Sequence, residues 1–351
     1  MANSVREQFQ LEQRKIEAVH NKLVNGATFL GDSATANDEG YGFLYNALEW
    51  VDPIIHKPLV NFYWFRDLPY RIGGGAVEYA SFYKVNYSFD NATPIASGSN
   101  NVVITVSSAL AKQQTRVQAF SLILKVGLID SMKADQIDLN IFDQLENGIM
   151  LKYNTLVDNI SFFGLPGLSD SYGLFNNPDV AVDSTSITSS WKQSTLTALD
   201  IFNALNDNMI KAIENSGFDK RATPNRILVP AGLFTKLASP LAVGGTTTAI
   251  SLWKYLKENL AINYALYDGT VDIFPNPYLA DQGTNSNGRI VIYRYDEEMV
   301  RGIMGMELTR GATLYDPSDL AFKTAFVAFI GEPQFLYLSN IRYIDNAADS
   351  I

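Results

Sequence analysis

Residues 136–163 read QIDLNIFDQLENGIMLKYNTLVDNISFF, and residues 164–180 continue GLPGLSDSYGLFNNPDV. Phe142, Leu145, Ile149, Tyr153, Leu156, Ile160 and Phe163 recur at three- and four-residue intervals. That spacing predicts one apolar stripe along a helix over 136–163. Asp143, Asn147, Asn154 and Asp158 fall on the opposite face. At 1.5 Å per residue the rod would run roughly 40 Å, longer than an average globular helix. Gly164, Pro166 and Gly167 then stop it. A rod of that length is a scaffold rather than a reaction centre, and the remaining chain reads as attachments to it.

Upstream, Val5, Phe9, Ile16, Val19 and Leu23 predict a helix over residues 3–24, with Asn25-Gly26 as its stop. Residues 25–80 are irregular and proline-broken, which suits an arm that packs on something other than itself. Tyr83, Val85 and Tyr87 alternate with Lys84, Asn86 and Ser88 in a predicted strand. DNATPIASGSNN forms a turn region, VVITVSS a second strand, and VQAFSLILKVGL a third, more buried one. The first two make a long hairpin, marginal by itself, that calls for a partner surface.

Downstream, Ser194 or Thr195 is expected to cap a helix running through Ala212, with Gly217 just past its end. RILVP (226–230) is a buried strand, and Thr248 is expected to cap the helix ISLWKYLKENL. INYALYDGTVDIF carries an Asp268-Gly269 hairpin turn, RIVIYRY (289–295) is a strand, and the tail holds two strands around Gly331-Glu332-Pro333. Neither an internal repeat nor a low-complexity tract is apparent.

The chain of 351 residues is 47% hydrophobic and 18% charged, the composition of a folded protein. It contains no run long and apolar enough for a membrane span, and the polar N-terminus is not expected to direct secretion. Zero cysteines exclude disulfides and thiolate chemistry. A net charge of −10, without a Lys/Arg cluster, argues against a nucleic-acid-binding surface but suits the wall of a container that repels DNA.

Catalytic motifs are refused one by one. RIGGGAVEY (71–79) is not a phosphate loop after a strand, and a flexible turn explains its glycines better. The two histidines, His20 and His56, leave little scope for a triad or a metal site. Asp296-Glu297-Glu298 and the pair Asp268 and Asp272 are the carboxylates to weigh for hydrolysis, and a solvated loop accounts for them better. No catalytic, cofactor-binding or metal-ligating residue is assigned, and no cofactor is expected.

One succession of elements carries family information. The strand VQAFSLILKVGLI, the link DSMKAD, the helix ending NISFFG and the turn YGLFNNPDV resemble the same succession in tailed-phage major capsid proteins. The turn positions are Gly173, Leu174, Phe175, Asn176, Asn177 and Pro178. A helix (194–216), PNRILVP, SLWKYLKENL and a β-rich C-terminus follow in similar order. The resemblance, over roughly residues 75–345, is to the Hong Kong 97-like fold of tailed phages and encapsulins, an α+β class. It implies an N-terminal arm (1–75), an extended β-hairpin loop (76–116) and a peripheral domain (117–178) with its spine helix at 136–163. It further implies an axial domain (179–320) and C-terminal strands (321–351) that return to the peripheral domain.

The function implied is structural. Copies of the chain would form hexamers and pentamers of an icosahedral head around double-stranded DNA, assembled in the host cytoplasm. Partners implied are a separate scaffolding protein, a portal, packaged DNA bound without sequence preference and, where one exists, a decoration protein. Tyr83, Val85, Tyr87, Asp90, Asn91, Asn100 and Val103 are the expected subunit-interface residues. The alternatives are an encapsulin-type compartment, another virion component such as a tail protein, and a carboxylate-dependent hydrolase.

Overall fold

The computed structural model describes residues 58, 60–89, 95–97, 100–102, 106–136, 140–187, 197–238, 240–243, 246–260, 271–284 and 287–346. In chain order, a single helical turn α1 (Trp64–Asp67) leads into β1 (Tyr70–Ile72), β2 (Tyr79–Phe89), the short pair β3 (Ile95–Ser97) and β4 (Asn100–Val102), and β5 (Val106–Gly127). Next come α2 (Leu128–Gln136), α3 (Ile141–Phe163) and β6 (Ala181–Asp183). Then follow α4 (Ala198–Asn215), β7 (Arg226–Val229), α5 (Ala231–Ala238), β8 (Pro240–Val243), β9 (Thr246–Ser251) and α6 (Leu252–Asn259). The remainder is β10 (Asp272–Pro275), β11 (Arg289–Tyr293), β12 (Val300–Asp316), β13 (Ala321–Gly331), β14 (Gln334–Phe335) and β15 (Arg342–Asp345).

Two sheets organise the described residues. One has the order β10-β7-β11-β15-β6. Its strands are apolar almost throughout because both faces are covered. Ile227, Val229, Ile290 and Ile292 pack on one side with Leu205, Met209, Leu233 and Leu256 from α4, α5 and α6. Their neighbours Leu228, Val291 and Tyr293 point the other way, against Phe162, Leu174 and Phe175. The other sheet has the order β1-β12-β13-β5-β2, with β14 alongside β12. There Leu124 and Val126 on β5 and Phe326 on β13 meet Ile141, Phe142 and Ile149 of α3, while Tyr153, Val157 and Ile160 meet Met304, Ala328 and Ile330. The odd-numbered β5 residues Ile123 and Lys125 turn away from the helix and are exposed.

Several expectations are corrected. The helix predicted over 136–163 begins at Ile141, where the Asn140 side chain accepts a hydrogen bond from the Asp143 amide. Residues 128–136 form a separate helix, so the spine is 23 residues and about 35 Å long. The third predicted strand, 117–128, is the inner half of one 22-residue strand, β5, which begins at Val106 with the last three residues of the second, VVITVSS (102–108); Val102 closes β4, and 103–105 lie outside the described residues. The outer half of β5 pairs with β2 (Phe89↔Val106 through Tyr79↔Arg116) and its inner half with β13 (Val117↔Gly331 through Gly127↔Ala321). A strand that changes partner midway carries two apolar patterns, which is why it does not read as one.

Thr197, not Ser194 or Thr195, caps α4, in a reciprocal box with Asp200. Thr248 lies inside β9, and Ser251 caps α6. Gly217 does adopt φ +66° after α4. Of the expected 268–269 hairpin, only the second strand is described, and it pairs in parallel with β7. The tail divides between sheets: β13 joins the sheet under α3, β14 pairs with β12, and β15 joins β11 and β6. The expected boundary at 320 falls in the turn between β12 and β13, which pair with each other. The predicted helix over 3–24 and the 268–269 turn lie outside the described residues.

Candidate assembly surfaces

The hairpin of β2 and outer β5 projects two faces. Across the ladder Tyr83 stands opposite Lys112, Val85 opposite Leu110 and Tyr87 opposite Ser108. These residues share one face because side chains alternate along a strand. Tyr83 is 61%, Tyr87 65% and Leu110 64% exposed. An aromatic and aliphatic ribbon this open contributes nothing to the subunit's own core. Of the remaining expected interface residues, Asn100 lies in β4 opposite Ser97. Asp90, Asn91 and Val103 lie outside the described residues.

The hairpin is clamped at its base by residues 332–334. Glu332 accepts the Arg116 amide at 3.0 Å and the Ser171 hydroxyl at 2.7 Å. Its own amide donates to the Arg116 carbonyl at 3.2 Å. Gln334 donates from Nε2 to Thr115 Oγ1 at 2.7 Å. The ion pair of Arg116 with Asp170, 2.8 Å apart and exposed on both sides, adds little. One carboxylate thus ties the hairpin base to the turn that follows the spine helix.

That turn closes the helix. The final carbonyls of an α-helix lack intrahelical partners and must find donors elsewhere. Leu174 N donates to Ser161 O at 3.0 Å, and Phe175 N to Phe162 O at 3.1 Å. The Asn176 side chain donates to Phe163 O at 3.0 Å, and its Oδ1 accepts Gly173 N at 2.6 Å. Leu174 and Phe175 are fully buried, with Phe175 stacked on Phe162 at 4.5 Å. The Tyr343 hydroxyl donates to Leu174 O at 2.7 Å, and Arg289 Nη1 to Phe175 O at 2.7 Å. Asn177 is buried, and its Oδ1 accepts the Asp179 amide at 3.0 Å; Pro178 is exposed. Gly173, Leu174, Asn176 and Asn177 therefore come together as one cap that joins α3 to β11 and β15.

Residues 60–68 strap the same helix end. Asp158, expected on the polar face, is fully buried and accepts the Tyr63 and Trp64 amides at 3.1 and 2.7 Å. Burial pushes its carboxyl up to about 6, although the two backbone amides favour the charged form. Asp67, also buried, is held by Arg66 and by the Asn276 side chain at 2.9 Å, and the Tyr293 hydroxyl donates to its carbonyl. A carboxylate at the end of an amphipathic helix reads as a solvent-facing group. The one signal against that reading is that Val157, Ile160, Phe162 and Phe163 cover more than a single stripe, the mark of a helix end buried all round.

The carboxylates considered for hydrolysis serve the turns. Asp296 accepts the Glu298 amide at 3.0 Å, Glu297 lies 3.8 Å from Arg71, and Asp272 pairs with Lys257 at 3.0 Å. Asp268 lies outside the described residues. Among the described residues no group of three or more His, Asp or Glu is placed to hold a metal ion.

A family model described as major capsid protein matches residues 90–346, well over half of the chain. No curated protein sequence matches. Among solved structures, the capsid of Myoviridae phage XM1 aligns with a TM-score of 0.69 at 12% identity, covering 86% of this chain and 97% of that one. The capsid of an empty GTA particle aligns with a TM-score of 0.57 at 11% identity, covering 90% and 99%. A chain of Mycobacterium phage Cain aligns with a TM-score of 0.56 at 12% identity, covering 86% and 95%. At these identities the likeness establishes a shared fold, the Hong Kong 97-like capsid fold.

Proposed function

The chain belongs to the major capsid protein family, and on that premise we propose that it is the building block of an icosahedral phage head, assembled through hexamers and pentamers around double-stranded DNA. It is a structural component of the virion, not an enzyme. The finer reading rests on the hairpin. Its ribbon of Tyr83, Val85, Tyr87 and Leu110 is exposed in the subunit, and apolar area of that kind gains free energy only when something covers it. A neighbouring copy in a ring is the natural cover, since heterologous contacts that close generate rings.

In this reading residues 1–75 act as an arm, 76–116 as the extended loop and 117–178 as the peripheral domain. Residues 179–320 act as the axial domain, and of the tail 321–351, β13 returns to the peripheral sheet while β15 stays with the axial one. A scaffolding protein, a portal and a decoration protein would be separate chains, and assembly would take place in the host cytoplasm. Net charge −10 suits a wall that encloses DNA without gripping it.

Deleting Asp90 to Asn100 at the hairpin tip tests this reading by electron microscopy and light scattering. The expected outcome is a soluble, folded subunit that forms no closed shells under conditions where the intact chain does. Normal shells from the deletion would refute the hairpin's role.

A further inference from the structure

A cavity of about 450 Å³ opens at the hairpin base, lined by Arg71, Gly74, Tyr79, Ser81, Arg301 and Gln334 among others. Arg301, on β12, is only 9% exposed. Its Nε donates to Gln334 Oε1 at 2.9 Å, and Gln334 turns its amide nitrogen to Thr115. A guanidinium carries five donors; among the described residues only Gln334 accepts one from Arg301, and since no Arg301 nitrogen is buried without a partner, the others open on the cavity. Among the described residues no carboxylate comes within ion-pair distance of Arg301. The contrast is with Arg289, whose Nε and Nη2 lie 2.7 and 2.8 Å from the two oxygens of buried Asp345.

A second positive charge shares the cavity. Arg71 pairs with Ile303 in the β1–β12 ladder, so it lies on the same sheet face as Arg301, two residues away. Burial and the neighbouring Arg71 both loosen the hold of Arg301 on its proton. Glu297, half-exposed and 3.8 Å from Arg71, offsets part of that charge. The glycine run contributes none of the cavity's character through the amides of Gly73 and Gly75, which are spent on the carbonyls of Met304 and Gly305 at 2.9 and 3.0 Å. Two arginines therefore make the site, not a phosphate loop.

We propose that this cavity is a seat for an oxyanion, and that its occupant is a side-chain carboxylate from a second copy of this chain. A guanidinium fixed in the cavity wall by Gln334, with its remaining donors toward the opening, matches a carboxylate in a two-pronged geometry. The chain holds 37 acidic against 27 basic residues, so its copies carry carboxylates in excess. Tyr79 and Ser81 in the cavity wall share the strand face of Tyr83, Val85 and Tyr87, which makes the seat continuous with the exposed ribbon. The inference rests on the shell-forming role proposed above and names one polar contact that fixes the hairpin's register on its neighbour.

The test is Arg71→Glu, at an exposed position where substitution spares the fold. It places a carboxylate of the same chain beside Arg301 and repels an incoming one. The expected result is a subunit that melts at or above the wild-type temperature yet yields at least tenfold fewer shells, while Arg71→Lys assembles normally. Inorganic phosphate, titrated onto unassembled subunits and onto shells, separates the sources: saturable binding on subunits should vanish in shells. Wild-type shell yield from Arg71→Glu would overturn the seat, including the case where residues 1–57 of the same chain fill it. Phosphate binding undiminished in shells would overturn the carboxylate as occupant. Wild-type protein that never closes into shells even with its scaffolding protein present would instead refute the underlying reading.

Discussion

Gly173→Ala probes the cap that joins the spine helix to the rest of the subunit. A Cβ on Gly173 would sit 2.1 Å from the Phe162 carbonyl carbon and 2.3 Å from both Phe162 O and Phe163 N. Those atoms belong to the last turn of α3 and cannot swing aside as a side chain would. Ordinary contact between carbon atoms needs about 3.5 Å, so the turn must withdraw by more than an ångström or so. Withdrawal breaks the bonds from Leu174 N to Ser161 O, Phe175 N to Phe162 O and Asn176 to Phe163 O, each worth about 1 kcal/mol net. Leu174 and Phe175 then lose part of a burial worth about 1.5–3 kcal/mol apiece. The expected loss is on the order of 5 kcal/mol, in the exceptional range for one substitution. Thermal unfolding of unassembled subunits should show a midpoint lower by on the order of 10 °C. Gly167→Ala is the control: Gly167 has φ +82° with nothing near its Cβ position, so it should cost only about 1–2 kcal/mol of backbone strain. If Gly173→Ala melts no lower than Gly167→Ala, the cap does not hold the helix end.

Two further outcomes are expected. Asp158 has its folded-state pKa raised from 3.8 to about 6, so the native state favours the protonated form. Its contribution is full below the unfolded value and is lost as pH rises through about 6. Subunit melting temperature should therefore climb between pH 7 and pH 5, and Asp158→Asn should flatten that climb. The opposing group is Asp183: burial raises it, but bonds from Ser186, Asn208 and Thr185 pull it below the usual carboxylate range. It titrates in more acidic solution and is silent in that window. An unchanged slope in Asp158→Asn would show that the strap contact is not the titrating element. Glu332→Ala removes the acceptor for Arg116 N and Ser171 Oγ, charge-assisted bonds worth roughly 1.5–3 kcal/mol each. Hydrogen exchange should speed up across 79–89 and 106–116 with little change in α4 or β7; equal acceleration everywhere would mean global destabilisation instead.

How far the sequence could be read follows from how each pattern is made. The spine helix and the strands RILV and RIVIY were legible because one covering surface, or two equal ones, gives a plain period or an unbroken apolar run. The cap at Gly173–Asn177 was legible only through family resemblance, since its bonds run to helix carbonyls that composition does not mark. Residues 109–116 of β5 escape a sequence reading because that outer half is exposed on both sides, while the inner half, buried against α3 on one, shows a period. Asp158 and Glu332 were hidden for another reason. A carboxylate that answers backbone amides from distant segments leaves no trace at its own position in the chain. The same holds for Arg301, whose surroundings come from β1, β2 and β14.

The described elements form a gradient of coverage that bears on where assembly draws its energy. The sheet of β7 and β11 is covered on both faces, the sheet of β13 and inner β5 is covered by α3 on one, and the aromatic face of the hairpin is bare. Burying Tyr83, Val85, Tyr87, Val106 and Leu110 at about 1.5–3 kcal/mol each gives on the order of 10 kcal/mol per hairpin. Joining two subunits costs roughly 4–15 kcal/mol in lost freedom alone. One hairpin on one neighbour therefore comes close to break-even, and a pair of subunits should not persist. In the proposed shell each further hairpin would add its contacts to a subunit already held in place, so later contacts would meet a much smaller entropic cost. On the proposed role, a ribbon of this size would leave single subunits unpaired and make closure cooperative, whereas a larger apolar face would trap dimers before a ring could form.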